Sequence, residues 1–245
     1  MKRRLLLLVC ALLVFAGADA QKKITVAVAA NMQYAIEALK LTYNRQHPLQ
    51  IDVVLGASGK LTQQIIAGAP FDIFISADTT FPAKVQAAGM AVAGPRNYAQ
   101  GILVLWTARA DIRPEIQVLT NSVVSHIAIA NPGTAPYGAA AVSVMKKYQV
   151  YDKVAAKLVT GESITQASQY IASGNAEIGF TAKSIVIAEA MRGKGHWVEI
   201  KQQDYAPIKQ AAVLLKDNAA AKGFYEFLFS AQAKKVFEQF GYIVK

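Results

Sequence analysis

Short β-branched segments alternate with amphipathic ones along nearly the whole 245-residue chain, and this alternation restricts the fold more than any other feature. Strands separated by helices predict mostly parallel sheets covered by helices. Residues 24–29 read as a first strand, and Met32, Ile36, Leu39 and Tyr43 then recur at helical spacing. Residues 51–55 and 71–76 read as strands either side of a short helix over 61–67 that Gly68 ends. A further strand is expected over 101–106. The pattern then restarts, with strands at 127–130 and 176–181, helices at 139–148 and 164–172, and a helix running on to Met191. Residues 207–215 read as a last strand, and Asn218 and Ser230 are placed to cap two closing helices.

The two β-rich segments near 101–106 and 207–215 bracket the second series. If both pass between lobes, residues 21–102 and 207–245 form lobe 1, residues 103–206 form lobe 2, and two strand-like connections form a hinge. The expected fold class is therefore α/β with two lobes.

The first twenty residues are set apart as a targeting segment. Met1-Lys2-Arg3-Arg4 is a basic start, residues 5–15 are apolar, and Ala18-Asp19-Ala20 is a small-x-small cleavage site, leaving Gln21 as the first mature residue. Cys10, the only cysteine, lies inside the apolar run. The mature chain is then expected to have neither disulfide nor thiol chemistry, nor a lipid anchor. No second stretch of about 18 apolar residues follows, so the remainder is expected to be soluble. The formal charge is +10, and loss of Lys2, Arg3, Arg4 and Asp19 with the leader makes it +8. No dense Lys/Arg cluster with interleaved aromatics supports nucleic acid as a partner. The excess charge is either a diffuse field that attracts small anions or a functionally idle surface.

Four strand-to-helix turns offer backbone N–H groups beside small or polar residues. They are Ala29-Ala30-Asn31, Gly56-Ala57-Ser58-Gly59-Lys60, the segment from Asn131 to Gly138 that includes Tyr137, and Thr160-Gly161-Glu162-Ser163-Ile164. Each alone can be an ordinary helix start. Together, facing across a cleft, they would enclose a small anion with neutral donors, because helix N-termini carry unpaired N–H groups and a positive dipole end. Tyr137 alone could be core, rim or contact. Lys60 either raises the local potential or is a solvated lysine. Recognisable enzyme patterns fail. The Gly56 to Lys60 segment lacks the spacing of a phosphate loop, and Ser58 lies in no G-x-S-x-G or S-x-x-K pattern. His47, His126 and His196 are scattered and read as surface residues, and no zinc-type cluster occurs. Asp72, Asp78 and Glu162 read as loop-holding carboxylates, with an acid role as the alternative.

The run Gly56-Ala57-Ser58-Gly59-Lys60-Leu61, then Gln64-Ile65 and Ala67-Gly68-Ala69-Pro70-Phe71-Asp72-Ile73-Phe74-Ile75-Ser76-Ala77-Asp78, resembles the signature of the periplasmic molybdate-binding proteins. Lys23 to Asn31 resembles their opening strand and binding turn, Asn131-Pro132 through Gly138 their second-lobe turn, and Phe237 to Tyr242 their C-terminal helix and tail. The resemblance implies a type II-like two-lobe binding protein, not an enzyme. It would close on molybdate or tungstate in the periplasm and deliver it to the membrane permease of an ABC transporter. It also implies Asn31 and Ser58 as lobe 1 donors, with Ala30 as a further candidate, and Tyr137 and Ile164 giving mainly backbone N–H groups from lobe 2. Asn31 stands where many members have serine, and Ala182 where many have a tyrosine. The metal would be held as an oxyanion with no direct protein ligand, no cofactor is implied, and a monomer is expected. The alternatives are another oxyanion such as sulfate, or a periplasmic enzyme using Ser58 or Tyr137.

Overall fold

The computed structural model describes residues 23–244. The targeting segment and the Ala20-Gln21 cleavage site lie outside the described residues. Two five-stranded sheets, each covered by helices on both faces, form two lobes. The first sheet has the order β2-β1-β3-β10-β4, from β1 (Lys23–Ala29), β2 (Gln50–Gly56), β3 (Ile73–Ile75), β4 (Ala93–Gly101) and β10 (Ile208–Leu214). The second has the order β7-β6-β8-β5-β9, from β5 (Leu103–Thr107), β6 (Ile127–Ala130), β7 (Leu158–Gly161), β8 (Ile178–Ala182) and β9 (His196–Glu199).

Lobe 1 carries α1 (Ala35–Asn44), α2 (Ser58–Ile66), α3 (Thr80–Ala87), α8 (Ala219–Phe227) and α9 (Ala231–Gln239). Lobe 2 carries α4 (Pro136–Lys147), α5 (Tyr151–Val154), α6 (Ile164–Ala172) and α7 (Lys183–Val186). Strands covered on both faces have no need to alternate polar and apolar residues. In β1, Val26 and Val28 join one apolar cluster with Ile36, Leu39, Phe224 and Phe237, while Ala27 joins Leu61, Phe74 and Val213 on the other face. In β5, Leu103 and Leu105 pack with Ile129, Met145 and Phe180, and Val104 and Trp106 pack with Ala128 and Ile171.

The sheets are mixed. β1 pairs in parallel with β2 and β3, but β10 runs antiparallel to β3 and β4, and β5 antiparallel to β8 and β9. The antiparallel strands flank the crossings between lobes. A single residue, Ile102, separates β4 of one sheet from β5 of the other, so the strand expected over 101–106 is the junction of two. The return crossing runs from β9 through Ile200 to β10, with a 3-10 turn at Gln202–Asp204. The helix expected to reach Met191 is instead the short α7 and a separate 3-10 turn at Glu189–Met191, because Ala188 adopts an extended conformation between them. Strands β4, β7 and β9 and helix α3 carry weak sequence patterns and were not anticipated. All three strands are sheet edges, where one neighbour and partial burial suffice.

The two crossings are tied to each other and to lobe 2. The Leu103 N–H donates to the Tyr205 hydroxyl at 3.0 Å. Asp204 accepts from Lys147 at 2.8 Å and from the Tyr148 hydroxyl at 2.7 Å. The Lys147 bond, then the Tyr148 bond, hold the Asp204 carboxyl below its ordinary range. A depressed carboxyl adds stability above its ordinary pKa, and the gain is lost as pH falls through the folded value. Asp204→Asn is therefore expected to lower the thermal midpoint at neutral pH. The gap to the parent should narrow as pH falls below the ordinary aspartate value of about 3.9 and close once the pH passes the lower folded value. Calorimetry across a falling pH series checks this.

Candidate functional site

Between the lobes lies a cavity of about 10 Å³. Its wall comprises Ala29, Ala30, Gly56, Ala57, Ser58 and Ala77 from lobe 1, and Ala135, Pro136, Tyr137 and Ile164 from lobe 2. Drug-sized ligands need roughly 300–1,000 Å³, so this space suits a very small solute. None of the ten residues is charged.

Three helices start at this wall. Ser58 is the first residue of α2 and Ile164 the first of α6. Tyr137 follows Pro136 at the start of α4 and so presents that helix's first N–H, since proline has none. The first N–H groups of a helix have no acceptor within it. Side chains answer this need at three helices: Ser163 caps α6, Asn218 caps α8 and Ser230 caps α9. At α2 and α4 the cap positions are Ala57 and Ala135, and neither supplies a side-chain bond. Alanine at a cap costs about 0.5–2 kcal/mol relative to Ser, Thr, Asn or Asp. The cost falls where an anion can supply the acceptor instead.

Ser58 is buried, and its Oγ accepts the Ala77 N–H at 3.0 Å. That bond uses a lone pair and leaves the hydroxyl proton available to the cavity. Ala30 lies on the wall at the start of the 3-10 turn Ala30–Met32. Asn31, in the same turn, does not line the wall. Its Nδ2 donates to Gln210 Oε1 at 3.1 Å and to the Tyr242 hydroxyl at 2.9 Å. Its carbonyl accepts from Tyr242 at 3.1 Å and from Ser184 of lobe 2 at 2.8 Å. The expected side-chain donor is thus occupied within lobe 1, and the bond to lobe 2 is made by the Asn31 carbonyl. Tyr137 lines the cavity, and its hydroxyl accepts from Gln210 Nε2 at 3.1 Å. Burial pushes the Tyr137 and Tyr242 phenols well above their ordinary pKa, so both stay protonated at any physiological pH. Ala182, at the end of β8, is fully buried and off the wall.

The lobes are shut on each other. The Gly59 N–H donates to Thr134 O at 2.9 Å across the cleft, and Thr165 donates to Ala30 O at 3.2 Å and Gln33 Oε1 at 3.0 Å. A Cβ on Gly59 would lie 2.9 Å from the Thr134 Cα, so only glycine permits this approach. Lys60 reaches Glu162 of lobe 2 at 3.8 Å, an exposed pair worth little, and neither residue lines the cavity.

The remaining carboxylates hold structure. Asp72 accepts the Thr25 N–H at 2.7 Å and the Asn218 amide at 3.3 Å. Asp78 accepts the Phe81 N–H at 3.1 Å, and burial raises its pKa. His47, His126 and His196 are exposed. Among the described residues no group of three or more His, Cys, Asp or Glu could hold a metal ion, and no helix is long and apolar enough to cross a membrane. Gln210, Ser184, Thr165, Thr134 and Tyr242 were not singled out from the sequence as site residues, because each acts through a partner distant in the chain.

Residues 24–243 match the family described as bacterial extracellular solute-binding protein. The molybdate-binding protein ModA of Rhodobacter capsulatus is 40% identical over 227 residues, covering 91% of this chain and 89% of that protein. The solved periplasmic molybdate-binding protein of Azotobacter vinelandii superposes with a TM-score of 0.84 at 33% identity, covering 91% of this chain and 99% of that one. The sulfate-binding protein SubI of Mycobacterium tuberculosis shares the fold, with a TM-score of 0.77 at 17% identity, covering 91% and 86%.

Ser58→Ala is expected to weaken anion binding by about 1–3 kcal/mol, the range for a lost bond to a charged group. It should also lower the ligand-free melting point, because the buried Ala77 N–H loses its acceptor. Titration calorimetry and thermal unfolding of the same variant check both, and unchanged affinity removes Ser58 from the site.

Proposed function

The chain belongs to the bacterial extracellular solute-binding proteins, within the molybdate-binding group, and we propose that it captures molybdate, with tungstate as a second ligand, in the periplasm for the permease of an ABC transporter. The observation that carries this proposal is the pair of uncapped helix starts at Ser58 and Tyr137, facing one cavity with no charged residue on its wall. The class is one of binding rather than catalysis.

In this account Ala30, Ser58, Tyr137 and Ile164 hold the anion through neutral donors, the Ser58 hydroxyl among them. Asn31 acts by positioning its turn. Bonds from N–H or O–H to an anion are roughly twice as strong as neutral ones, so a few suffice without a salt bridge. The absence of a carboxylate from the wall suits a fully ionised dianion. Phosphate near neutral pH keeps a proton that needs an acceptor. Sulfate has the charge and shape of molybdate but is smaller, so its rejection falls to cavity size, fixed by backbone turns that cannot easily contract. Closure follows from ligand contacts on both lobes, since only the shut form satisfies them together.

Thermal unfolding of the mature protein with molybdate, tungstate, sulfate, phosphate or no addition tests this. A ligand at 100 times its Kd stabilises by about 2.7 kcal/mol, and each kcal/mol moves the midpoint of a chain this size by roughly 2–4 °C. Molybdate and tungstate are expected to raise the midpoint by several degrees, and sulfate and phosphate to leave it nearly unchanged. No shift with either metal oxyanion overturns the proposal.

A further inference from the structure

Gly101 is the last residue of β4, one residue before the chain crosses from lobe 1 to lobe 2. It pairs with Ile208, the first residue of β10, so the outgoing and returning crossings lie side by side there. Its φ is not positive, so its lack of a side chain answers a demand for space and not for an unusual backbone. A Cβ on Gly101 would overlap the Tyr137 hydroxyl oxygen, and would lie 2.5 Å from Gln210 Nε2 and 2.9 Å from Tyr137 Cζ. The side chain of a cavity-lining residue is therefore packed directly onto the hinge.

Gln210 completes the connection. Its Nε2 donates to the Tyr137 hydroxyl from across the lobe boundary at 3.1 Å. Its Oε1 accepts from Asn31 Nδ2 at 3.1 Å and from the Tyr98 hydroxyl at 2.7 Å. One carboxamide thus links the first turn of lobe 1, the α4 turn of lobe 2 and the hinge glycine. Gln210 and Asn31 are at most 1% exposed and Tyr137 is 2% exposed, so an unmade bond here has no water at hand to replace it.

We propose that Tyr137 and Gln210 are positioning residues that couple the anion cavity to the hinge at Gly101. The Tyr137 N–H faces the anion, and its hydroxyl seats against Gly101 and Gln210 only when the lobes are shut. Parting the lobes separates Tyr137 from Gln210, so closure is all-or-none at this point, and the slot beside Gly101 admits a hydrogen but not a methyl group. This coupling rests on the assignment of the cavity as the ligand site.

The test is a double-mutant cycle read with molybdate as the probe: Gly101→Ala in the parent and again in the Tyr137→Phe background. In the parent, Gly101→Ala is expected to raise the Kd at least about tenfold through faster dissociation, while the ligand-free melting point holds, because in the open form Tyr137 is withdrawn and the freed Gln210 carboxamide can turn away from the methyl group. In the Tyr137→Phe background the same substitution is expected to cost several-fold less than in the parent, because the nearest colliding atom is gone while Gln210 Nε2 and the ring Cζ remain to be displaced. An equal cost in both backgrounds, no cost in either, or a ligand-free melting point that falls in step with affinity overturns the coupling. A parent protein that binds no molybdate overturns the proposed function instead, which the parent titration reports before any variant is made.

Discussion

The first backbone N–H groups of a helix have no acceptor within that helix, and two lobes are arranged here so that three such starts meet at one small space. Much else in the molecule serves that meeting. Parallel pairing of β1 with β2 and of β6 with β7 puts the strand-to-helix turns at the same sheet ends. The antiparallel β5 and β10 carry the chain between lobes close to the turns. Alanine at both uncapped starts, Ala57 and Ala135, keeps the wall narrow and leaves the donors for a solute.

A neutral wall and a dianion are a coherent pair. A lysine or arginine in the cavity would attract any anion, and a carboxylate would favour a protonated one. Fixed amide donors reward charge and shape without either bias, and cavity dimensions are then left to separate anions of equal charge. The polar groups that do lie deep between the lobes, Asn31, Gln210, Tyr137, Tyr98 and Tyr242, bond chiefly to one another. Their role is geometric: they fix how the two halves meet.

Much of this was legible in the sequence. Covered strands such as β1, β5 and β6 stand out as apolar runs, Gly68 and Gly174 end their helices at positive φ, and Asn218 and Ser230 cap as their residue types suggest. The turns themselves were legible by position, and Ala30, Ser58, Tyr137 and Ile164, which the family resemblance implied within them, all reach the wall. The edge strands β4, β7 and β9 were not legible, since one-sided pairing imposes no apolar run. The partners of Asn31 were not legible for a related reason: its amide is directed by Gln210 and Tyr242, 179 and 211 residues away in the chain. No local pattern encodes such partners. The alanines at the two cap positions were a signal that the sequence carried and that residue type alone makes easy to pass over.

The most direct measurement of the central claim is backbone amide hydrogen exchange, residue by residue, with and without molybdate. Donation from both lobes predicts that the N–H groups of Ser58, Tyr137 and Ile164 gain protection together on adding the anion. Protection confined to one lobe, or centred away from these helix starts, would contradict it.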